Sequence, residues 1–86
     1  MARVHIYTSD ACGFCSRTKA LLNSKDIQYT ETHIGLTDID ARRALAELTG
    51  RFTVPQILID DQPIGGWDEL SALERQGRLD HLLGSA

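Results

Sequence analysis

Two hydrophobic periods alternate along this chain, and their order limits its fold more than any other feature. Val4 and Ile6 alternate with His5 and Tyr7, a period of two that predicts a strand over about Arg3–Thr8. Ser9-Asp10-Ala11 reads as a loop. A helical pattern then begins at Cys12 or Gly13, with Thr18, Leu21 and Leu22 on one face and Arg17 and Lys19 facing water. Lys25-Asp26 ends it, and Gln28–Thr32 is predicted as a second strand because Tyr29 and the threonines favour extended backbone. Thr37-Asp38-Ile39-Asp40 reads as a helix entrance with acidic side chains suited to a first turn. Ala41, Ala44, Leu45 and Leu48 follow at i, i+3, i+4 and i+7, and Gly50 is a fitting stop. Gln56–Ile59 is the third predicted strand, Asp60-Asp61-Gln62 a turn, and Pro63-Ile64-Gly65 a short edge strand where proline is tolerated. A helix over about Trp67–Gln76, with Leu70 and Leu73 inward, ends at Gly77. Leu79, Leu82 and Leu83 predict a last helical turn or two over the core.

The order is β-α-β-α-β-β-α with a short tail, which specifies an α/β fold. Crossover helices are expected to make the first three strands parallel and to place helices on the sheet faces. Residues 1–86 are read as one compact domain, at the small end of what folds alone, with 42% hydrophobic residues sufficient for a single core. A net charge of −3 argues against nucleic acid or an anionic membrane as partner. No run approaches the roughly 18 apolar residues of a membrane span. Met1-Ala2-Arg3 leads directly into the first strand pattern without a basic-then-apolar leader, so a cytoplasmic protein is expected; the expected working unit is a monomer.

Within this frame the only two cysteines stand at the first helix start, in Cys12-Gly13-Phe14-Cys15. A Cys-x-x-Cys beside a βαβ pattern reads as a redox pair. The N–H groups of a first helical turn lack intrahelical acceptors, and the positive end of the helix dipole favours a Cys12 thiolate, the nucleophile of disulfide exchange. The alternatives are weaker. Half a zinc site needs four ligands, and there is no second cysteine pair. His5, His33 and His81 are scattered without metal-ligand spacing. A purely structural disulfide closing so short a loop would constrain little of the unfolded chain. In a reducing cytosol a cysteine pair is catalytic more often than structural.

Three segments, in this order and spacing, resemble the glutaredoxin family, most nearly its small bacterial dithiol type: Cys12-Gly13-Phe14-Cys15, Thr53-Val54-Pro55-Gln56, and Gly65-Gly66-Trp67-Asp68-Glu69. The resemblance covers nearly the whole chain. It implies a thioredoxin fold, a four-stranded mixed sheet in the order 2-1-3-4 flanked by helices, and a glutathione groove beside the cysteines. It implies a cis Val54–Pro55 bond, so that Thr53 and Val54 offer backbone groups to an extended tripeptide as an added strand does. Gly65-Gly66 would let a ligand approach closely, and the N–H groups of Trp67 and Asp68 would bind a carboxylate as helix starts do. By resemblance that anion is the γ-glutamyl carboxylate of glutathione, with Asp68 facing its ammonium and Glu69 assisting. Read without the family, Asp68 and Glu69 simply complement the helix dipole. Arg42 falls where relatives place a polar contact to the glycine carboxylate, although Arg42 and Arg43 by themselves read as a solvated helix face. Phe14 stands in place of the family's usual tyrosine.

The activity implied is glutathione-dependent thiol–disulfide exchange on glutathionylated and disulfide-containing proteins, with Cys12 attacking and Cys15 resolving through a redox-active disulfide. Two departures from the family pattern matter. Ser9 stands where many relatives carry a lysine, and Asp10 beside it opposes a thiolate, so the Cys12 pKa is expected to be lowered less than in a lysine-bearing relative. Gly13-Phe14 replaces the usual Pro-Tyr and is similar to monothiol relatives with Cys-Gly-Phe-Ser, which share a [2Fe-2S] cluster between two protomers through the first cysteine and glutathione. Cys15 keeps this chain a dithiol, and Ser9 and Phe52 differ from residues typical of the monothiol group. A cluster-carrying homodimer, with Cys12 as ligand, is the alternative. A thioredoxin-like reductase is a third reading, against which the usual Trp-Cys-x-x-Cys is absent.

Overall fold

The computed structural model describes residues 2–84. Strand β1 (Val4–Ser9) is the sheet's inner frame, and its alternation sorts residues as a pleat must: Val4, Ile6 and Thr8 are buried, while His5 and Tyr7 are half-buried on the other face. Strand β2 (Thr30–Ile34) runs parallel along one side, with His5 opposite Thr30 and Ser9 opposite Ile34. On the other side lie β3 (Gln56–Ile59), with Val4 opposite Ile59, and β4 (Gln62–Gly65), each antiparallel to its neighbour. The order is therefore β2-β1-β3-β4, as the resemblance implies. Asp60 and Asp61 both adopt positive φ, 51° and 65°, which suits the two-residue turn joining β3 to β4.

The expectation that the first three strands are parallel fails at β3, which is antiparallel to β1. The reason lies after helix α2 (Ile39–Thr49). Gly50 ends that helix in a left-handed conformation, φ 81°, and the chain doubles back alongside it, so that Arg42 Nη1, early in α2, donates to the Phe52 carbonyl at 3.3 Å. The return segment carries the chain back toward the end of the sheet where β2 finished. Strand β3 therefore enters from that end. A helix counted as a crossover overlooks this return.

Helices α1 (Gly13–Ser24), α3 (Trp67–Arg75) and α4 (Leu79–Leu82) cover the face that Val4 and Ile6 present. Leu22, Leu70, Leu79 and Leu83 meet Val4, Ile6, Ile57 and Ile59 there in one core. Helix α2 lies on the opposite face and buries only Leu45. The expected inward stripe is incomplete: Ala44 is exposed and Leu48 is 47% exposed. Leu48 overhangs a hollow of about 430 Å³ shared with His5, Tyr7 and Leu58, because half-polar strand residues on this face offer the helix little to pack against. Strand β2 starts two residues later than predicted and runs to Ile34, its single buried residue, while β1 extends to Ser9, whose buried hydroxyl donates to the Ile34 carbonyl at 2.7 Å.

Candidate active site

Cys12 is the N-cap of α1, with extended backbone (φ −108°, ψ 100°), and its Sγ accepts the Cys15 N–H at 3.2 Å. A sulfur thus takes the position that a serine or aspartate oxygen usually fills at a helix start. Cys12 and Cys15 are joined in a disulfide with Cα atoms 5.2 Å apart. Cys15, three residues and nearly one helical turn deeper, is only 4% exposed, whereas Cys12 is partly open. The loop before it, with Ala11 at φ 53°, carries the chain from the end of β1 to this helix start.

Cys12 Sγ lies 3.8 Å from the Val54 carbonyl oxygen, and Val54–Pro55 is cis. Beyond this contact opens a groove of about 150 Å³ between the segment leading into β3 and the start of α3. Phe14, Thr53, Val54, Pro55, Gly66, Trp67 and Asp68 all line it. The structure thus brings these seven sequence-predicted residues together around one groove, whose wall meets the sulfur of Cys12 at the Val54 carbonyl. Arg42 is not among the lining residues; its guanidinium is turned to the Phe52 carbonyl, and its Nε is buried without a hydrogen-bond partner among the described residues.

Two further residues line the groove, Arg51 and Glu69. Glu69 Oε1 accepts the Gly66 N–H at 2.7 Å and pairs with Arg51 Nη1 at 2.6 Å. The Gly66 N–H, and after it the Arg51 guanidinium, hold the Glu69 carboxyl below the usual carboxylate range. On the other flank of the disulfide, Cys12, Cys15, Lys19, His33 and Asp10 border a second, polar hollow. Lys19 pairs with Glu31 at 2.8 Å, raising the Lys19 pKa and lowering that of Glu31, which also accepts from Thr8. His33 Nε2 meets Asp10 Oδ1 at 2.9 Å.

The glutaredoxin family model matches residues 4–64. Glutaredoxin 3 of Escherichia coli strain K12 is 48% identical over 83 residues, 96% of this chain and 99% of that protein. The chain belongs to the glutaredoxin family. Solved structures agree: the solution structure of a glutaredoxin from Brucella melitensis has a TM-score of 0.84 at 41% identity, covering 99% of this chain and 91% of that one. The crystal structure of a buckwheat glutaredoxin–glutathione complex has a TM-score of 0.82 at 33% identity, covering 96% and 77%. This glutaredoxin has the thioredoxin fold of its relatives and is a thiol–disulfide oxidoreductase of the glutathione-linked kind. No helix among its described residues is long and apolar enough to cross a membrane.

Sequence reasoning missed Arg51. The signal available was a cation two residues before Thr53, but nothing local tells which wall of a groove such a side chain will join. Ser9, read as a loop residue near the site, instead ends β1 with its hydroxyl committed to β2.

Proposed function

We propose that this glutaredoxin reduces protein–glutathione mixed disulfides, and protein disulfides, with glutathione as the electron donor. The observation that carries the reading is the Cys12–Cys15 disulfide at a helix start, beside an open groove walled by Thr53-Val54-Pro55 and the first turn of α3. In the reduced form the Cys12 thiolate is favoured by the Cys15 N–H and the helix dipole, and burial disfavours charge on Cys15. Cys12 attacks the glutathione sulfur of a mixed disulfide; the substrate sulfur leaves as a thiolate and takes a proton. A second glutathione thiolate then attacks the glutathione sulfur held on Cys12, releasing oxidised glutathione and restoring the Cys12 thiolate. On a protein disulfide, Cys15 displaces the substrate from Cys12 and forms the Cys12–Cys15 bond, which two glutathiones reduce.

In the groove, Thr53 and Val54 pair with the tripeptide backbone, and Phe14 and Pro55 supply apolar contact. Gly66, Trp67 and Asp68 form the carboxylate and ammonium end, and Arg42 reaches the glycine carboxylate after turning from Phe52. The proposed setting is the cytoplasm, and the working unit is a monomer of one domain, residues 1–86, without nucleic acid or membrane. The net charge of −3 supports the first of those exclusions.

Replacing each cysteine tests the assignment. Cys12→Ser is expected to abolish glutathione-coupled turnover of a glutathionylated peptide; Cys15→Ser retains it and loses mainly protein-disulfide reduction. Equal tolerance of both changes overturns the roles, and faster turnover with thioredoxin reductase than with glutathione overturns the electron donor. Anaerobic reconstitution with glutathione that yields a brown dimer with visible absorption would shift the reading to the [2Fe-2S] carrier.

A further inference from the structure

Among the charged side chains described in the groove lining, one alone has the sign to meet a ligand carboxylate. Glutathione brings two carboxylates and one ammonium. Position 9 contributes no cation, since Ser9 is buried with its hydroxyl on Ile34. Arg42 is turned away to Phe52. Among the described residues that line the groove, the charged ones are Asp68, Glu69 and Arg51, so Arg51 is its single cation. The Arg51 guanidinium is held over the first turn of α3 by Glu69 Oε1, the same oxygen that accepts the Gly66 N–H. That is the turn whose leading N–H groups have no intrahelical acceptor. Nη1 makes the only hydrogen bond of this guanidinium among the described residues, leaving Nη2 and Nε as donors in a half-exposed side chain.

We propose that Arg51 is a specificity residue: with the start of α3 it receives the α-carboxylate of the γ-glutamyl residue, and so makes this enzyme prefer γ-glutamyl thiols. The inference rests on the glutathione reading above and adds which end of the ligand is discriminated and by which side chain. A carboxylate reaching the α3 start alone would meet the helix dipole but also Asp68 and Glu69 close by. Arg51 offsets Glu69 and still presents a fork that fits a carboxylate. Its tie to Glu69 confines it to this end, away from the glycine end of an extended tripeptide.

The test is a single-turnover measurement, with no added reductant, of how fast pre-reduced protein takes up the thiol from mixed disulfides of one peptide. Three are compared: with glutathione, with γ-glutamylcysteine (no glycine) and with cysteinylglycine (no γ-glutamyl). Arg51→Met is expected to slow the first two about fivefold and to leave the third within about twofold, the scale of a half-exposed charge contact. Arg51→Lys recovers most of the loss, and raising the salt concentration narrows the difference between wild type and Arg51→Met. Ratios between substrates on one variant cancel any unfolded fraction. Equal slowing of all three, no slowing, or slowing that follows the glycine end overturns the role of Arg51. A wild type that does not distinguish the three substrates overturns the glutathione reading itself, so the two failures are separable.

Discussion

Gly65 and Glu69 act as one device at the mouth of the groove. Gly65 has φ +119°, and a Cβ built there would overlap the Glu69 side chain, with Cγ at 2.8 Å and Cδ at 2.9 Å. Glycine is required both for the backbone angle and for the room in which Glu69 curls back to the Gly66 N–H. Gly65→Ala is therefore expected to destabilise the protein by about 1–3 kcal/mol, measured as a lower midpoint in urea. Glu69→Ala, which removes the cap together with the partly exposed pair to Arg51, costs about 1–2 kcal/mol. The double variant should lose less than the sum, because both changes break the same contact. The sequence reads this glycine pair as room for a ligand. Gly66, whose Cβ would stand 3.0 Å from the Pro55 carbonyl, does lie in the groove lining, whereas Gly65, at the end of β4, makes room for a side chain of the helix that follows.

Helix α2 shows how local signals and long-range consequences part company. Asp38 caps it, with Oδ1 accepting the Ala41 N–H at 3.0 Å, and Gly50 closes it with a left-handed turn. Both ends are legible from residue types alone. Since only Leu45 is buried, α2 depends on its cap more than the core helices do. Asp38→Ala should cost about 1 kcal/mol, and native-state hydrogen exchange should quicken within α2 while α1 and α3 stay protected. Uniform loss of protection through all helices would show instead that α2 unfolds only with the whole chain. By contrast, α1 and α3 are tied to the rest by side chains as well as by core packing. Lys25, near the C-terminal end of α1, pairs with Glu74 of α3 at 2.8 Å and Asp80 of α4 at 2.7 Å, contacts that raise its pKa.

Across the whole molecule the ion pairs set how stability follows pH. Glu31 and Glu69 have folded pKa values below their unfolded ones. Their contribution is present above about pH 4.3, the unfolded glutamate value, and is lost as pH falls through the lowered folded values. Lys19 and Lys25 are raised, so their contribution is present below about pH 10.4 and is lost as pH rises through the folded values. Stability should form a plateau with shallow limbs, each pair being partly exposed and contributing about 1 kcal/mol or less. Urea midpoints at pH 3, 7 and 11 check this, and Glu31→Gln with Glu69→Gln should flatten the acid limb; an unchanged limb would remove these carboxylates from the account. The sequence by itself determined the elements, their caps and the cysteine pair at a helix start, because periodicity, capping and turn chemistry act over a few neighbouring residues. Only the tertiary structure decided that β3 runs antiparallel, that Leu48 stays half-open, and that Arg51 lines the groove while Arg42 is turned to Phe52 and Ser9 is tied to Ile34. Those outcomes depend on where a chain returning along α2 meets a helix that begins many residues later, and no local pattern carries that distance.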